Sequence, residues 1–263
     1  MGNIFGYKLG IDSIASVDDF VTERVFQPPV RSDFILQTIS DANCETFFLK
    51  TVTGEDIHVF RYTIPGSNKL VIFSHGNASD VNTFSQYVAW FAKKYQVNAV
   101  VYDYPGYGQS SSTPSEENCY DAIDAVVNFY KERFDVKNII LIGQSLGTGI
   151  TIHYAVQKKW TTPIVLISPY KSISRVVYDS WCSSAIDSAF SHNMFVSIDK
   201  VSKMKCSAKI YHGTHDTVID ISHGKDLYHK LPDKRFTPEW IDGANHGSIL
   251  SAIGDEIMDV INH

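Results

Sequence analysis

The sequence predicts an α/β protein built on a mixed, mostly parallel, doubly wound sheet that is entered through an antiparallel hairpin. Three observations carry this. Short runs that are apolar at nearly every position (Leu70–Phe73, Ala99–Tyr104, Ile139–Ile142, Ile164–Ile167 and, more weakly, Lys209–Tyr211) recur after residue 66. Such runs belong to strands buried on both faces, as in a parallel sheet. Helix-compatible segments alternate with them, which is the signature of repeated strand–helix units. Ahead of both, Glu45–Val52 and Asp56–Ile64 are rich in β-branched and aromatic residues and flank Thr53-Gly54-Glu55, a hairpin pattern.

Taken in order, residues 1–30 show no clear period and end at Pro28-Pro29, which excludes regular helix there. They are expected to form an arm or a short helix lying on the body, and residues 31–263 a single domain. After the hairpin, Pro65-Gly66 marks the change to buried strands. The clearest helix starts at Thr113-Pro114-Ser115-Glu116, which matches a capping box with proline at the first helical position. It sets Tyr120, Ile123, Val127, Tyr130 and Phe134 on one face at alternating three- and four-residue spacing, with Asp121, Asp124, Asn128 and Glu132 opposite. Further helices are expected over Thr148–Lys158 and Ile219–Leu231, and a late strand over Phe236–Ile241. Residues 170–207 mix Val176, Val177, Trp181, Ile186, Phe190, Met194 and Phe195 with scattered single charges, as a short cap would.

Composition narrows the function classes. The 263 residues are 44% hydrophobic and carry a formal charge of -6, with no basic cluster longer than pairs such as Lys93-Lys94. That argues against a nucleic-acid stripe. No apolar run approaches the about 18 residues that would span a bilayer. The N-terminus lacks the charged and apolar regions of a secretory signal. Cys44, Cys119, Cys182 and Cys206 are far apart with no CxxC pair, which fits reduced thiols in the cytosol better than a disulfide framework or a zinc site. No metal or other cofactor is expected.

Gly143-Gln144-Ser145-Leu146-Gly147 follows a strand and leads into a helix. In that context G-x-S-x-G is a nucleophile elbow: a strained turn projects the serine hydroxyl from the sheet, and small residues two positions away avoid a clash. The Leu146 N–H, at the start of the helix, can point at a developing oxyanion. Ser74-His75-Gly76-Asn77-Ala78 ends the strand Leu70–Phe73, and its loop is where a second oxyanion donor arises, the N–H of Asn77. His75 precedes the nucleophile, against the chain order Ser…Asp…His, and is assigned a structural hydrogen-bonding role. Among the later histidines only His246, in Asp242-Gly243-Ala244-Asn245-His246-Gly247, combines a turn after a late strand with small neighbours. His153, His223 and His229 fall in helical stretches. The acid should leave the preceding strand, which selects Asp216 in Thr214-His215-Asp216, with Asp220 and Asp242 as alternatives. The expected chemistry is attack by Ser145 on a carbonyl with His246 as base and Asp216 orienting it, through an acyl-enzyme that water releases.

These residues together resemble the α/β-hydrolase-domain-containing protein 17 family. The match runs from about Phe26 to the C-terminus. It takes in Gln27-Pro28-Pro29, His75-Gly76-Asn77-Ala78, Tyr102-Asp103-Tyr104-Pro105-Gly106-Tyr107-Gly108 and Ile140–Gly147. It continues through Ile198-Asp199-Lys200-Val201-Ser202-Lys203, His212–Ile219, Ser222-His223-Gly224 and Gly243-Ala244-Asn245-His246. The resemblance implies the α/β-hydrolase fold and removal of palmitate from cysteines of membrane-associated proteins. Other acyl (thio)ester, lipase and aminopeptidase-like chemistries share the same machinery, and a non-catalytic binding module would be expected to lose a triad member. The expected partner is an acylated protein or a small acyl ester.

The family's N-terminal cysteine cluster, which is palmitoylated and tethers its members to membranes, has no counterpart here, since the first 43 residues contain no cysteine. Met1-Gly2-Asn3-Ile4-Phe5-Gly6 begins like a myristoylation signal, but Gly6 stands where Ser or Thr is expected. The expected location is the cytoplasm, with any membrane association peripheral and reversible.

Overall fold

The computed structural model describes residues 25–30, 41–176 and 193–263. The expectations for most of the N-terminal arm and for Val177, Trp181, Ile186 and Phe190 of the cap lie outside the described residues. Eight strands form one sheet: β1 Cys44–Lys50, β2 Asp56–Tyr62, β3 Leu70–Ser74, β4 Asn98–Tyr102, β5 Ile139–Gln144, β6 Ile164–Ile167, β7 Ala208–Gly213 and β8 Glu239–Ile241. Their spatial order is β1-β2-β4-β3-β5-β6-β7-β8. The β1–β2 and β2–β4 pairs are antiparallel and every other pair is parallel. The expected hairpin and mostly parallel sheet are both present.

The helices are α1 Val81–Tyr95, α2 Glu116–Lys131, α3 Leu146–Gln157, α4 Ile221–Lys230, α5 Ile249–Ala252 and α6 Met258–Ile261. Strand residues alternate between two apolar cores. Leu70, Ile72, Leu141 and Leu166 face α2 and α3, whereas Val71, Phe73, Ile142 and Ile167 face α1, α5 and α6. With both faces covered, the central strands have no solvated side, which is why they read as unbroken apolar runs.

Several boundaries differ from the sequence reading. The α2 cap is Ser115, whose hydroxyl accepts from the Asn118 N–H at 3.0 Å, so Pro114 precedes the cap instead of opening the helix. The apolar face is otherwise as expected, with Ile123, Val127 and Tyr130 buried. β4 stops at Tyr102; the Asp103 N–H still donates to the His58 carbonyl of β2 at 2.9 Å, while its carboxylate accepts from the Val81 N–H in the first turn of α1. β8 is short because Pro238 has no N–H to give the ladder. The helix expected from Thr148 starts at Leu146, directly after the serine.

The strand order reverses between β3 and β5. The helix after β3 leads to β4 on one side, and the helix after β5 leads to β6 on the other. The crevice this leaves beyond the strands' carboxyl ends is where ligands bind in open α/β sheets. Ser74–Asn77 and Gln144–Leu146 both lie there.

Candidate active site

Ser145 has φ 50° and ψ −117°, in the left-handed half of backbone space that a side chain rarely adopts. Its N–H is anchored to the Ile167 carbonyl at 2.9 Å, at the end of β6. The two motif glycines are there because backbone passes too close for a side chain. A Cβ on Gly143 would lie 2.5 Å from the Gly147 carbonyl oxygen, and one on Gly147 would lie 2.0 Å from the Ser74 carbonyl oxygen. The sharp turn leaves the hydroxyl at the start of α3, where the first N–H groups have no partner within the helix and the dipole favours negative charge.

The loops after β7 and β8 are fastened to each other. His215 N–H donates to the Ala244 carbonyl at 3.0 Å, Gly243 N–H to Thr214 Oγ1 at 3.0 Å, and Thr214 Oγ1–H to Asp242 Oδ1 at 3.2 Å. Asn245 Oδ1 accepts from the N–H groups of Gly247 and Ser248, both at 3.0 Å, and so shapes the turn that carries His246. The result is a continuous hydrogen-bonded chain. His246 Nδ1–H donates to Asp216 Oδ2 at 2.8 Å, and His246 Nε2 accepts from Ser145 Oγ at 3.1 Å. A carboxylate can only accept, so it fixes the proton on Nδ1 and leaves the Nε2 lone pair facing the serine.

Asp216 is held at both oxygens. Oδ1 accepts from the N–H groups of Val218 at 3.0 Å and Ile219 at 2.9 Å, and Oδ2 accepts from Ser168 Oγ at 2.9 Å as well as from His246. Burial pushes this carboxyl up. The hydrogen bonds and charge of His246, with the Ile219 N–H and the Ser168 hydroxyl, outweigh it and hold Asp216 below the usual carboxylate range. The other acids considered are used elsewhere: Asp220 caps α4 by accepting from the Ser222 N–H at 2.8 Å, and Asp242 accepts from Thr214.

His153, His223 and His75 have other partners. His153 stacks on Tyr120 with ring centroids 3.4 Å apart, and burial and the charges of Lys200 and Lys158 lower its pKa to about 4. His223 accepts from the Lys171 N–H at 3.1 Å. His75 is fully buried, donates from Nδ1 to the Gly76 carbonyl at 2.8 Å, and is driven toward the neutral form by burial. Its role is the structural one expected. The Tyr104 hydroxyl donates to the His75 carbonyl at 2.6 Å, fastening the same loop from the other side.

Three residues of this neighbourhood were not singled out from the sequence. Ser168 takes a left-handed φ of 48° just beyond β6, which aims its hydroxyl at Asp216. His212, fully buried at the end of β7, donates from Nε2 to the Ile219 carbonyl at 2.9 Å and braces the turn that carries Asp216. Asp103 accepts from the Val81 N–H at 2.6 Å and from His58 Nδ1–H at 3.2 Å, tying the first turn of α1 to the end of β4. A charged residue inside the Tyr102–Gly108 block was the available signal for Asp103: a Cβ on Gly108 would fall 2.2 Å from its carboxylate. Among the described residues no group of three or more His, Cys, Asp or Glu side chains could hold a metal ion, and no helix is long and apolar enough to cross a membrane.

Residues 69–169, which carry β3 through the elbow to β6, match the family model described as the alpha/beta hydrolase fold. A protein named as an alpha/beta hydrolase in Acanthamoeba polyphaga mimivirus is 38% identical over 256 residues, 95% of each chain. Alpha/beta hydrolase domain-containing protein 17C of Xenopus tropicalis is 38% identical, and that of Homo sapiens 36%, each over 78% of this chain. The aligned stretch takes in 65% and 61% of those two relatives, so the chain spans less than two thirds of their length. Among solved structures the Pyrococcus furiosus esterase Pf2001 superposes with a TM-score of 0.65 at 20% identity, covering 84% of this chain and 90% of that one, a likeness of fold alone. The chain belongs to the α/β-hydrolase family.

Proposed function

We propose that this α/β hydrolase is a serine hydrolase that cleaves acyl thioesters, with palmitoylated protein cysteines as the substrate class. The observation that carries the reading is the unbroken chain Asp216–His246–Ser145 ending on a serine in a left-handed turn. In this reading His246 Nε2 takes the Ser145 proton as Oγ attacks the carbonyl carbon. Asp216 keeps the imidazole tautomer and stabilises the imidazolium, and the backbone N–H groups of Leu146 and Asn77 receive the oxyanion. Collapse of the tetrahedral intermediate expels the thiol, which takes the proton from His246. Water then attacks the acyl-enzyme with His246 again as base, returning the serine.

The choice of thioester over amide follows from leaving-group chemistry. A thiol with a pKa of about 8.5 departs readily as thiolate, whereas an amine must be protonated as it leaves. The described cap residues that could meet an acyl chain, Val176 and Met194, are apolar and partly buried. The resemblance to the domain-containing protein 17 family directs the proposal to palmitate. The test compares the purified protein on a palmitoyl thioester and on free-amine peptidyl amides. Faster thioester turnover is expected; faster amide turnover would make the protein a peptidase and end the thioesterase reading.

A further inference from the structure

The residue given the second oxyanion N–H has a side chain that hydrogen-bonds the N-terminal segment. Asn77 Nδ2 donates to the Val25 carbonyl at 2.7 Å, and Asn77 Oδ1 accepts from the Gln27 N–H at 3.0 Å. A single carboxamide thus pairs with the C=O and N–H on either side of Phe26, as a peptide group of a neighbouring parallel strand would. A third bond comes from the Tyr107 hydroxyl, which donates to Oδ1 at 2.5 Å. Phe26 is 4% exposed and packs edge-on against Phe195, with ring centroids 6.0 Å apart. Phe195 reaches α3 in turn, since its Cβ would lie 3.1 Å from a Cβ placed on Gly149. The segment around Phe26 therefore holds the Asn77 loop through hydrogen bonds and, by way of Phe195, reaches the helix that begins at Leu146.

We infer that Asn77 is a positioning residue through its side chain, and that Val25–Gln27 belong to the apparatus that aims its backbone N–H. Three bonds to one carboxamide fix the Asn77 side-chain torsions and with them the plane of its peptide. The rest of the loop is held at His75 by Tyr104 and at Gly76 by the Ser79 N–H at 3.1 Å, so Asn77 is the point where the arm bears on it. The inference rests on the proposed serine-hydrolase reading and adds to it a requirement for the arm.

The test uses the full chain with Asn77→Ala, which keeps the backbone N–H, and Phe26→Ala, which leaves the loop's own sequence intact. Competent sites are counted by completed fluorophosphonate labelling, and turnover of a short p-nitrophenyl ester is expressed per competent site. Loss of a whole oxyanion donor costs about 100- to 1000-fold in kcat, so a misaimed one is expected to cost about 10- to 100-fold, with KM within about twofold. Affinity for a trifluoromethyl ketone, which mimics the tetrahedral intermediate, should fall by the same factor. Phe26→Leu should restore most of the rate by refilling the contact with Phe195. Asn77→Asp, which keeps the accepted bonds but sets a carboxylate oxygen against the Val25 carbonyl in place of the donor, serves where Asn77→Ala does not fold, and should show a kcat loss in the same range. A merely structural role would reduce the number of competent sites and leave kcat per site unchanged. Unchanged kcat in these variants, with Ser145→Ala inactive, would overturn the inference alone. Turnover surviving in Ser145→Ala would overturn the underlying reading and the inference with it.

Discussion

Replacing Gly147 by alanine separates the role of the elbow from ordinary packing. The new Cβ would sit 2.0 Å from the Ser74 carbonyl oxygen, 2.5 Å from its carbon and 2.9 Å from the His75 carbonyl oxygen. All three are backbone atoms, so no side chain can swing aside. Against the start of ordinary contact at 3.4 Å, the shortest of these is deficient by about 1.4 Å. The end of β3 and the start of α3 must therefore move apart. Those two segments carry the loop of Asn77 and the N–H of Leu146, so the two proposed oxyanion donors separate by about 1 Å, a misplacement that costs about 100-fold in rate. Overpacking of this kind destabilises by about 1–3 kcal/mol, which for a domain of this size lowers Tm by a few degrees. The control is Gly66→Ala, at φ 82° in open space before β3, at the opposite end of the strands from the serine. It incurs about 1–2 kcal/mol of left-handed strain and no change at the site. Ester hydrolysis and thermal melts of both variants form the assay. Comparable stability losses are expected, with kcat lowered only in Gly147→Ala. A Gly147→Ala protein within about threefold of the parent rate would refute the argument that this close approach sets the oxyanion geometry.

Asp216→Asn should lower kcat by about 10,000-fold, the effect of the equivalent change in other triads, because an amide can hold the wrong imidazole tautomer. Asp220→Asn and Asp242→Asn, which touch a helix cap and a loop hydroxyl, should stay near the parent rate, and reversal of that order would move the acid. Ser168→Ala removes a buried donor to the Asp216 carboxylate and should destabilise at pH 7 by about 1.5–3 kcal/mol, read from urea unfolding. Because Asp216 is held below its unfolded pKa, its contribution is fully present above pH about 4 and fades as pH falls through the folded value. The variant's folded pKa moves up toward the unfolded one, so the stability difference should shrink at pH 3; a difference that grows on acidification would contradict the sign.

Much of the site could be read from sequence because its constraints are local. The sharp turn at Ser145 demands glycines two residues either side, His246 sits in a turn of small residues, and the strands that lead to both are apolar on both faces. Where the reading fell short, the cause lay across the fold. Ser168 looks like any serine after a strand; only its left-handed φ and the arrival of the Asp216 turn beside β6 give its hydroxyl a task. Asp103 was hidden inside an aromatic block because its partners, the α1 start and His58, are distant in sequence. Asn77 was chosen for its backbone N–H, and nothing in a linear sequence says that its side chain reaches back to residues 25 and 27. The helix range read from Thr148 began two residues late for a simpler reason. A helix that begins on a strained serine has no side-chain cap to announce it.

The central claim is that Ser145 is the nucleophile activated by His246. The most direct measurement treats the native protein with a fluorophosphonate and locates the added mass by peptide mass spectrometry. The account predicts a single stoichiometric adduct on Ser145, formed at the rate at which ester hydrolysis disappears, absent from Ser145→Ala and slowed by orders of magnitude in His246→Ala. An adduct on another residue, or full labelling with undiminished hydrolysis, would contradict it.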